Sequence, residues 1–510
     1  MHKPRRSGKR TAKRNQSSKQ IPFQQPFYHW NASKIVNEEA IAQIHDASME
    51  ILETTGLRFY DAEALDLWNK AGAKVDFQKQ HVHIDRHLLA ECLKTIPSSF
   101  TWRSRNPDRT LQVGDNAVVF AANGGMVNLS SADAPRHPGT EKDFVDIIKL
   151  IHSTNTVHTS SPQALAMHDV AVSHRHLHAM RHNIFLTDKV LVANSNGRII
   201  TKDCLELARI IFDGDITTGG PAIGGIVNAN SPLVFDERML GGLITHARAG
   251  QFVIVTPFIL SGAMSPLTIP AAIAQQNAEA LAGVALTQLV NKGTPAVYGG
   301  FTTSVDLRSG SPAFGTPEGA WALQIGAQLA RQYGIPYRGS GSLNTANSPD
   351  LQASYESLWS LWPNINAQSN IIVHAIGWLE GGLTVNLEKF IVDAENLSMM
   401  QYFLKGIDWS NADFALEAIQ EVGPGGHHLG TIHTQERFRT AFYESELADR
   451  QPFETWLENG SKTTLERATE IWKARLRDYQ APPLAESKRE AIEAYVAMRK
   501  EALKGVDLYT

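Results

Sequence analysis

Residues 335–356 read IPYRGSGSLNTANSPDLQASYE. A short apolar run ends in four small residues, Gly339-Ser340-Gly341-Ser342, and a helical pattern follows from Ser348-Pro349, a capping residue and then the proline that suits a first helical position. This is a strand turning into a helix. Its small residues leave room, and the sequence poses the question of what fills it. Seven other β-rich runs have the same rhythm: NAVVFAANG (116–124), NTVHTSSPQ (155–163), KVLVANSNG (189–197), PAIGGIVNAN (221–230), QFVIVTPFI (251–259), TPAVYGGFT (294–302) and NIIVHAIGW (370–378). Helical stretches lie between them. GTEKDFVDIIKLIHS pairs Thr140 with Asp143 as a capping box, and TPEGAWALQIGAQLARQYG opens on Thr316-Pro317. Eight strand–helix units within residues 116–405 predict an α/β protein built on a closed (β/α)8 TIM barrel. The runs are apolar without strict alternation, as expected of strands covered on both faces.

Outward from the barrel, residues 21–115 mix a helical pattern (NEEAIAQIHDASMEILETTG) with short strand-like pieces (AKVDF, HVHID, FTWRS) and read as an N-terminal α/β region. Residues 406–510 lose the strands and read as a mainly helical region, with NADFALEAIQEVG, TLERATEIWKARLRDY and ESKREAIEAYVAMRKEALKG as surface helices. Residues 1–20 hold eight of the 48 Lys and Arg and no acidic residue, so the rest of the chain carries 40 basic against 52 acidic residues. That basic tail is expected to be disordered. An acidic body argues against nucleic acid as a partner.

At 510 residues, 43% hydrophobic and 20% charged, the chain is an ordinary globular one with a large core. No window reaches the apolar length of a membrane span, so a soluble, cytoplasmic protein with no membrane partner is expected. Cys92 and Cys204 are the only cysteines and form no CxxC pair, which leaves no disulfide framework or thiolate metal site.

In this fold the chemistry lies where the strands end. Those positions are Asn123-Gly124-Gly125, Ser160-Ser161, Asn194 to Asn196, Asn228 to Asn230, Phe258, Tyr298 to Phe301, Arg338 to Ser342, and His374 to Trp378. They offer no HxH, no carboxylate cluster, no cysteine and no lysine, so a metal-dependent hydrolase and a Schiff-base aldolase are poorly supported. GPAIGG and GSGS lack the pattern of a dinucleotide site, and no bound metal or nucleotide is expected. The mouth reads as amide- and hydroxyl-lined with aromatic rings, which suits a cation held against ring faces. MHDVAVSHRHLHAMRH places His174, His178 and His182 four apart on one helical face. That helix belongs to the outer ring and carries no carboxylate between His174 and His182, so it reads as a solvated or partner-facing surface.

GSGSLNTANSPDLQASYES (339–357), IIVHAIGWLEGGLTVNLEKFIVDAE (371–395), GPGGHHLGTIHTQERFRTAF (423–442) and WLENGSK (456–462) resemble, in that order, segments of the trimethylamine methyltransferase (MttB) family. The resemblance spans roughly residues 28–500. It implies a (β/α)8 barrel that moves a methyl group from an amine to the cobalt of a corrinoid, a cobalamin-type cofactor carried by a partner protein or supplied free. Founding members carry pyrrolysine in the barrel. This sequence has only the standard residues, and relatives of that kind are thought to use quaternary amines such as glycine betaine. The resemblance puts the pyrrolysine position at or close to Gly339, where a glycine is expected to leave space for a quaternary ammonium group. On this reading Tyr298, Phe301 and Trp378 form an aromatic wall, Asn123 lines the mouth, and His374 or Arg338 takes a substrate carboxylate. Glu356 or Glu380 faces the cation, with His374 and Glu356 the catalytic candidates. A corrinoid protein is the expected partner, and association of identical subunits is expected. Two other readings stay open: a lyase or hydrolase of small amines on the same barrel, and a betaine-binding protein without turnover.

Overall fold

The structure, a computed structural model, describes residues 20–508. The basic tail expected over 1–20 lies outside the described residues but for Gln20. All eight runs form a closed parallel ring. The strands are Val119–Phe120, a single bridge at Thr159, then Leu191–Ala193, Ile223–Ala229, Phe252–Ser261, Ala296–Gly299, Tyr337–Ser340 and Ile371–Val373. Neighbours pair in parallel from the third strand to the eighth, and the eighth pairs with the first. The ring closes through the second position, where His158 N donates to Phe120 O at 2.8 Å and Thr159 bridges Val190. This is the (β/α)8 barrel that the strand–helix rhythm predicts.

The helix starts follow their capping chemistry. Thr140 and Asp143 form the full capping box of helix Glu141–Ser153, and Thr316 caps helix Pro317–Gln332 with Pro317 at its first position. The seventh helix starts later than Ser348-Pro349 suggests. It spans Leu351–Ala367 with Asp350 as its cap, because the Asp350 carboxylate accepts from both Gln352 N and Ala353 N.

The bottom of the barrel is plugged. Ser99–Trp102 and Leu111–Gly114 form a hairpin whose Phe100 and Trp102 sit 4.9 and 4.7 Å, ring to ring, from Phe252 in the lumen. Val119, Ala121, Val190, Ile254, Val297, Ile371 and Val373 complete that apolar layer. The N-terminal helices Glu38–Glu50, Ala62–Lys70 and Arg86–Leu93 pack on helix Ile269–Val290, which is buried without a break from Ala272 to Gln288 because it is sandwiched between them and the barrel. From the C-terminal region, helix Thr464–Arg477 packs on the barrel helices Leu387–Leu404 and Glu141–Ser153. Helix Glu486–Ala502 lies on Arg175–Leu186 and Arg198–Ile211, where Asp203 accepts from Tyr495 Oη at 2.8 Å and Arg499 Nε at 2.6 Å.

Candidate active site

Side chains alternate along a strand, so the residues that share the facing of Val297, Ile254 and Ile371 point into the lumen. Climbing toward the mouth, that set becomes Asn123, Asn228, Thr256, Phe258, Gly299, Phe301, Arg338 and Ser340. The lumen is apolar below and polar with aromatic rings above.

Arg338 is the dominant group. It is 1% exposed, its Nη1 donates to Gly300 O at 3.3 Å, and its Cζ lies 5.2 Å from the Phe301 ring centre. Its Nε has no partner, and among the described residues no Asp or Glu offsets its charge. Burial lowers its pKa to about 10, so it remains a cation at neutral pH. Gly299 is the register partner of Arg338, and a Cβ there would meet Thr256 Oγ1 at 2.0 Å. Two more polar groups at this level, Thr256 Oγ1 and both amide atoms of Asn123, are buried without a partner. Unpaired polar groups of this kind cost free energy unless a ligand completes them.

His374 ends the eighth strand in a left-handed conformation (φ 57°). Its Nδ1 faces Arg338 Nη2 at 3.5 Å and Ser340 Oγ at 3.3 Å. A guanidinium can only donate, so Nδ1 accepts and the proton of the neutral ring sits on Nε2. Burial, reinforced by the Arg338 charge, holds the His374 pKa well below the ordinary 6.5.

Around these two groups stands an aromatic cluster. Trp378 lies 4.6 Å from His374 and 5.6 Å from Phe314, while Phe301 lies 5.0 Å from Phe258, 5.8 Å from Phe314 and 5.3 Å from His374. Trp378 is latched: its Nε1 donates to Asn344 O at 3.1 Å and its carbonyl accepts from Asn344 Nδ2 at 2.6 Å. The turn between His374 and Trp378 is fixed from behind by Asp393, which accepts from Gly377 N at 2.8 Å and is paired with buried Lys389.

The structure therefore brings together Asn123, Phe301, Arg338, His374 and Trp378 at the mouth. Of the four other candidates, it turns two outward and engages two with the protein's own groups. Tyr298 faces the helices, packing with Tyr337 at 5.9 Å and Gln276, because it lies one residue out of phase with inward Val297 and Gly299. Gly339 also faces outward, where a Cβ would meet Asn364 Oδ1 at 2.0 Å, so no space for an ammonium group opens there. Glu356 is occupied by Thr345 N at 2.7 Å and Gln352 Nε2 at 2.9 Å, which makes it a brace for the loop after the seventh strand. Glu380 is neutralised by Arg136 at 2.7 Å and bonded by Thr384. Sequence reasoning missed Thr256 and Phe314. Thr256 sits inside an apolar run and only its register reveals it, and Phe314 comes from a loop (SPAFGTPEG) that carries no signal beyond its one aromatic residue.

The room beside Gly339 to Ser342 is filled by the protein itself. Gly341 lies against Leu361 and Ile372, Asn364 Nδ2 donates to Ser340 O at 2.8 Å, and Ser357 Oγ donates to Ser342 O at 3.0 Å. The small residues let helix Leu351–Ala367 approach the strand closely.

A closed barrel with an unpaired buried cation, a neutral imidazole and a ring cluster at its mouth has the build of an enzyme acting on a small charged organic molecule. The family described as trimethylamine methyltransferase (MTTB) matches residues 3–504, and the chain belongs to that family of methyltransferases. It is 34% identical over 466 residues to the glycine betaine methyltransferase of Desulfitobacterium hafniense (strain Y51), covering 91% of this chain and 97% of that protein. It is 28% identical over 452 residues to the trimethylamine methyltransferase MttB of Desulfitobacterium hafniense (strain DSM 10664 / DCB-2), covering 88% and 90%. A chain of the crystal structure of the hydroxylamine MtmB complex aligns at 12% identity with a TM-score of 0.45, over 88% of this chain and 95% of that one.

Proposed function

We propose that the protein transfers a methyl group from a carboxylate-bearing quaternary amine, glycine betaine or a related betaine, to the Co(I) of a corrinoid carried by a partner protein. The observation that carries the reading is Arg338: a guanidinium buried without a counter-ion, beside rings that can hold a cation. A betaine offers both complements. Its carboxylate pairs with Arg338 and accepts from His374 Nε2–H, and its ammonium rests on the faces of Phe258 and Phe301. The likeness to a glycine betaine methyltransferase supports the same substrate class.

The corrinoid supplies the nucleophile. The N–CH3 bond breaks with its electron pair staying on nitrogen, and a neutral tertiary amine leaves. No proton moves, which agrees with a mouth whose imidazole, His374, is kept neutral. The work left for the residues is to orient the methyl group outward and exclude water, a matter of proximity. Asn123 and Thr256 offer further polar contacts to the bound zwitterion. Among the described residues no helix is long and apolar enough to cross a membrane. Self-association is supported by large apolar side chains exposed along residues 407–453, among them Ile407, Trp409, Phe414, Leu429, Phe442 and Phe453.

The test is an anaerobic assay with chemically reduced cobalamin or a purified corrinoid protein, following methylcobalamin absorbance. Methylation is expected with a betaine and not with trimethylamine or choline, which lack the carboxylate. Equal rates with choline would overturn the role given to Arg338. Betaine binding without any methylation, with the corrinoid protein present, would overturn the reaction.

A further inference from the structure

Behind the mouth, on the outer ring, two helices meet in a histidine–carboxylate cluster that the methyl-transfer reading does not use. Helix Glu141–Ser153 begins with Glu141, just after its cap Thr140. Helix Arg175–Leu186 presents His178 and His182 one turn apart. His178 Nδ1 lies 2.8 Å and His182 Nε2 2.6 Å from the same oxygen, Glu141 Oε1, and one donor atom from each residue lies within 4.8 Å of the others. The histidine helix itself holds no acidic residue, and the nearby Asp169 is engaged by Glu141 N at 2.8 Å. The fold supplies a carboxylate from the preceding helix.

We propose that Glu141, His178 and His182 form a binding site for one divalent transition-metal cation of the zinc type. Two imidazoles at i and i+4 plus a carboxylate from a second element are a complete three-residue zinc set, with a solvent position left for the fourth ligand. Two ring nitrogens converging on one carboxylate oxygen is the arrangement a cation stabilises by taking the place of the bridging protons. No nucleophile or base of the mouth is part of the cluster, so the site is a clamp. It joins the start of one helix to the middle of the next, and their preceding loops are already tied together by Gly125 N to Gln163 O (2.8 Å), Ala166 N to Met126 O (2.8 Å) and His168 N to Gly139 O (2.9 Å). Those loops follow the first and second strands and border the mouth, with Asn123 at the base of the first.

One neighbour opposes the cation. Lys500 Nζ lies 3.2 Å from His178 Nε2. With metal on Nδ1 the ring proton must sit on Nε2, facing the ammonium, so Lys500 has to turn to solvent. This gives the proposal a distinctive consequence: Lys500→Ala binds the metal more tightly than the parent protein.

The experiment uses untagged, full-length protein dialysed with Zn2+ and then against metal-free buffer, with bound zinc counted by mass spectrometry. One equivalent is expected in the parent and in the His174→Asn control. His182→Gln and Glu141→Gln are expected to lose it, and Lys500→Ala to bind it several-fold tighter. X-ray absorption of the zinc-loaded parent reads the ligands without any substitution and should count two imidazoles. No bound zinc in the parent, equal zinc in His182→Gln and parent, or a spectrum without imidazole would each overturn the site.

Discussion

Arg338 shows how a single side chain can serve binding at the expense of the apo fold. A buried cation without a partner is costly to desolvate, and an apolar residue of similar length removes that cost. Arg338→Met is therefore expected to melt no lower than the parent in calorimetry while losing betaine turnover. A large drop in melting temperature would mean that Arg338 holds the barrel together instead. Gly339→Ala should behave in the opposite way. Its Cβ would strike Asn364 Oδ1, on the helix side. The expected outcome is lower stability with substrate KM unchanged in the protein that remains folded. These residues also show where sequence reading stops. Apolar runs covered on both faces do not say which parity faces the lumen. Arg338 and Phe301 face the lumen, whereas Tyr298, as aromatic as Phe301, faces the helices.

At the scale of elements, the turn from His374 to Trp378 depends on the helix behind it. Asp393 and Lys389 are both fully buried, and Asp393 holds Gly377 N–H. Asp393→Leu leaves Lys389 as an uncompensated charge and frees the turn, at a cost of about 3–5 kcal/mol. The double change Lys389→Met with Asp393→Asn removes the charge yet keeps an acceptor for Gly377, so urea midpoints should recover most of the loss. If the double variant is as unstable as the single, the ion pair is not what the turn relies on. The strand–helix alternation was legible in the sequence because caps and apolar runs are local signals. Thr140, Asp143 and Thr316 act as their types predict, whereas Asp350 overrides Ser348 because a carboxylate accepts two amides. Glu356 and Glu380 could not be assigned from sequence. Their partners, Thr345 and Arg136, are brought to them by loops whose course only the folded chain defines.

For the molecule as a whole, pH dependence follows from imidazoles kept neutral by burial. His158 is lowered to about 3, His246 to about 4, and His374 well below 6.5. Above pH 6.5 these rings are neutral folded or unfolded and give no slope. Below it the unfolded chain takes up protons that the folded chain refuses, so stability is lost as pH falls, by up to about 1.4 kcal/mol per pH unit for each ring. These rings make urea midpoints fall steadily from pH 7 toward pH 5, with a shallower fall in His246→Gln. The same neutrality means that His374 should add no inflection to kcat/KM between pH 6 and 8. The (β/α)8 frame and the polar, aromatic character of its mouth were readable from 510 residues. The Glu141–His178–His182 meeting was not, since it joins two helices 37 residues apart.

The most direct measurement is calorimetric titration of betaine into the parent protein and into Arg338→Met, without corrinoid, alongside choline. A charge-assisted pair contributes about 1.5–3 kcal/mol, so betaine affinity should fall roughly 10- to 150-fold in Arg338→Met while choline binding changes little. Unchanged betaine affinity would contradict the account, because the buried charge at the mouth would then have no part in holding the substrate.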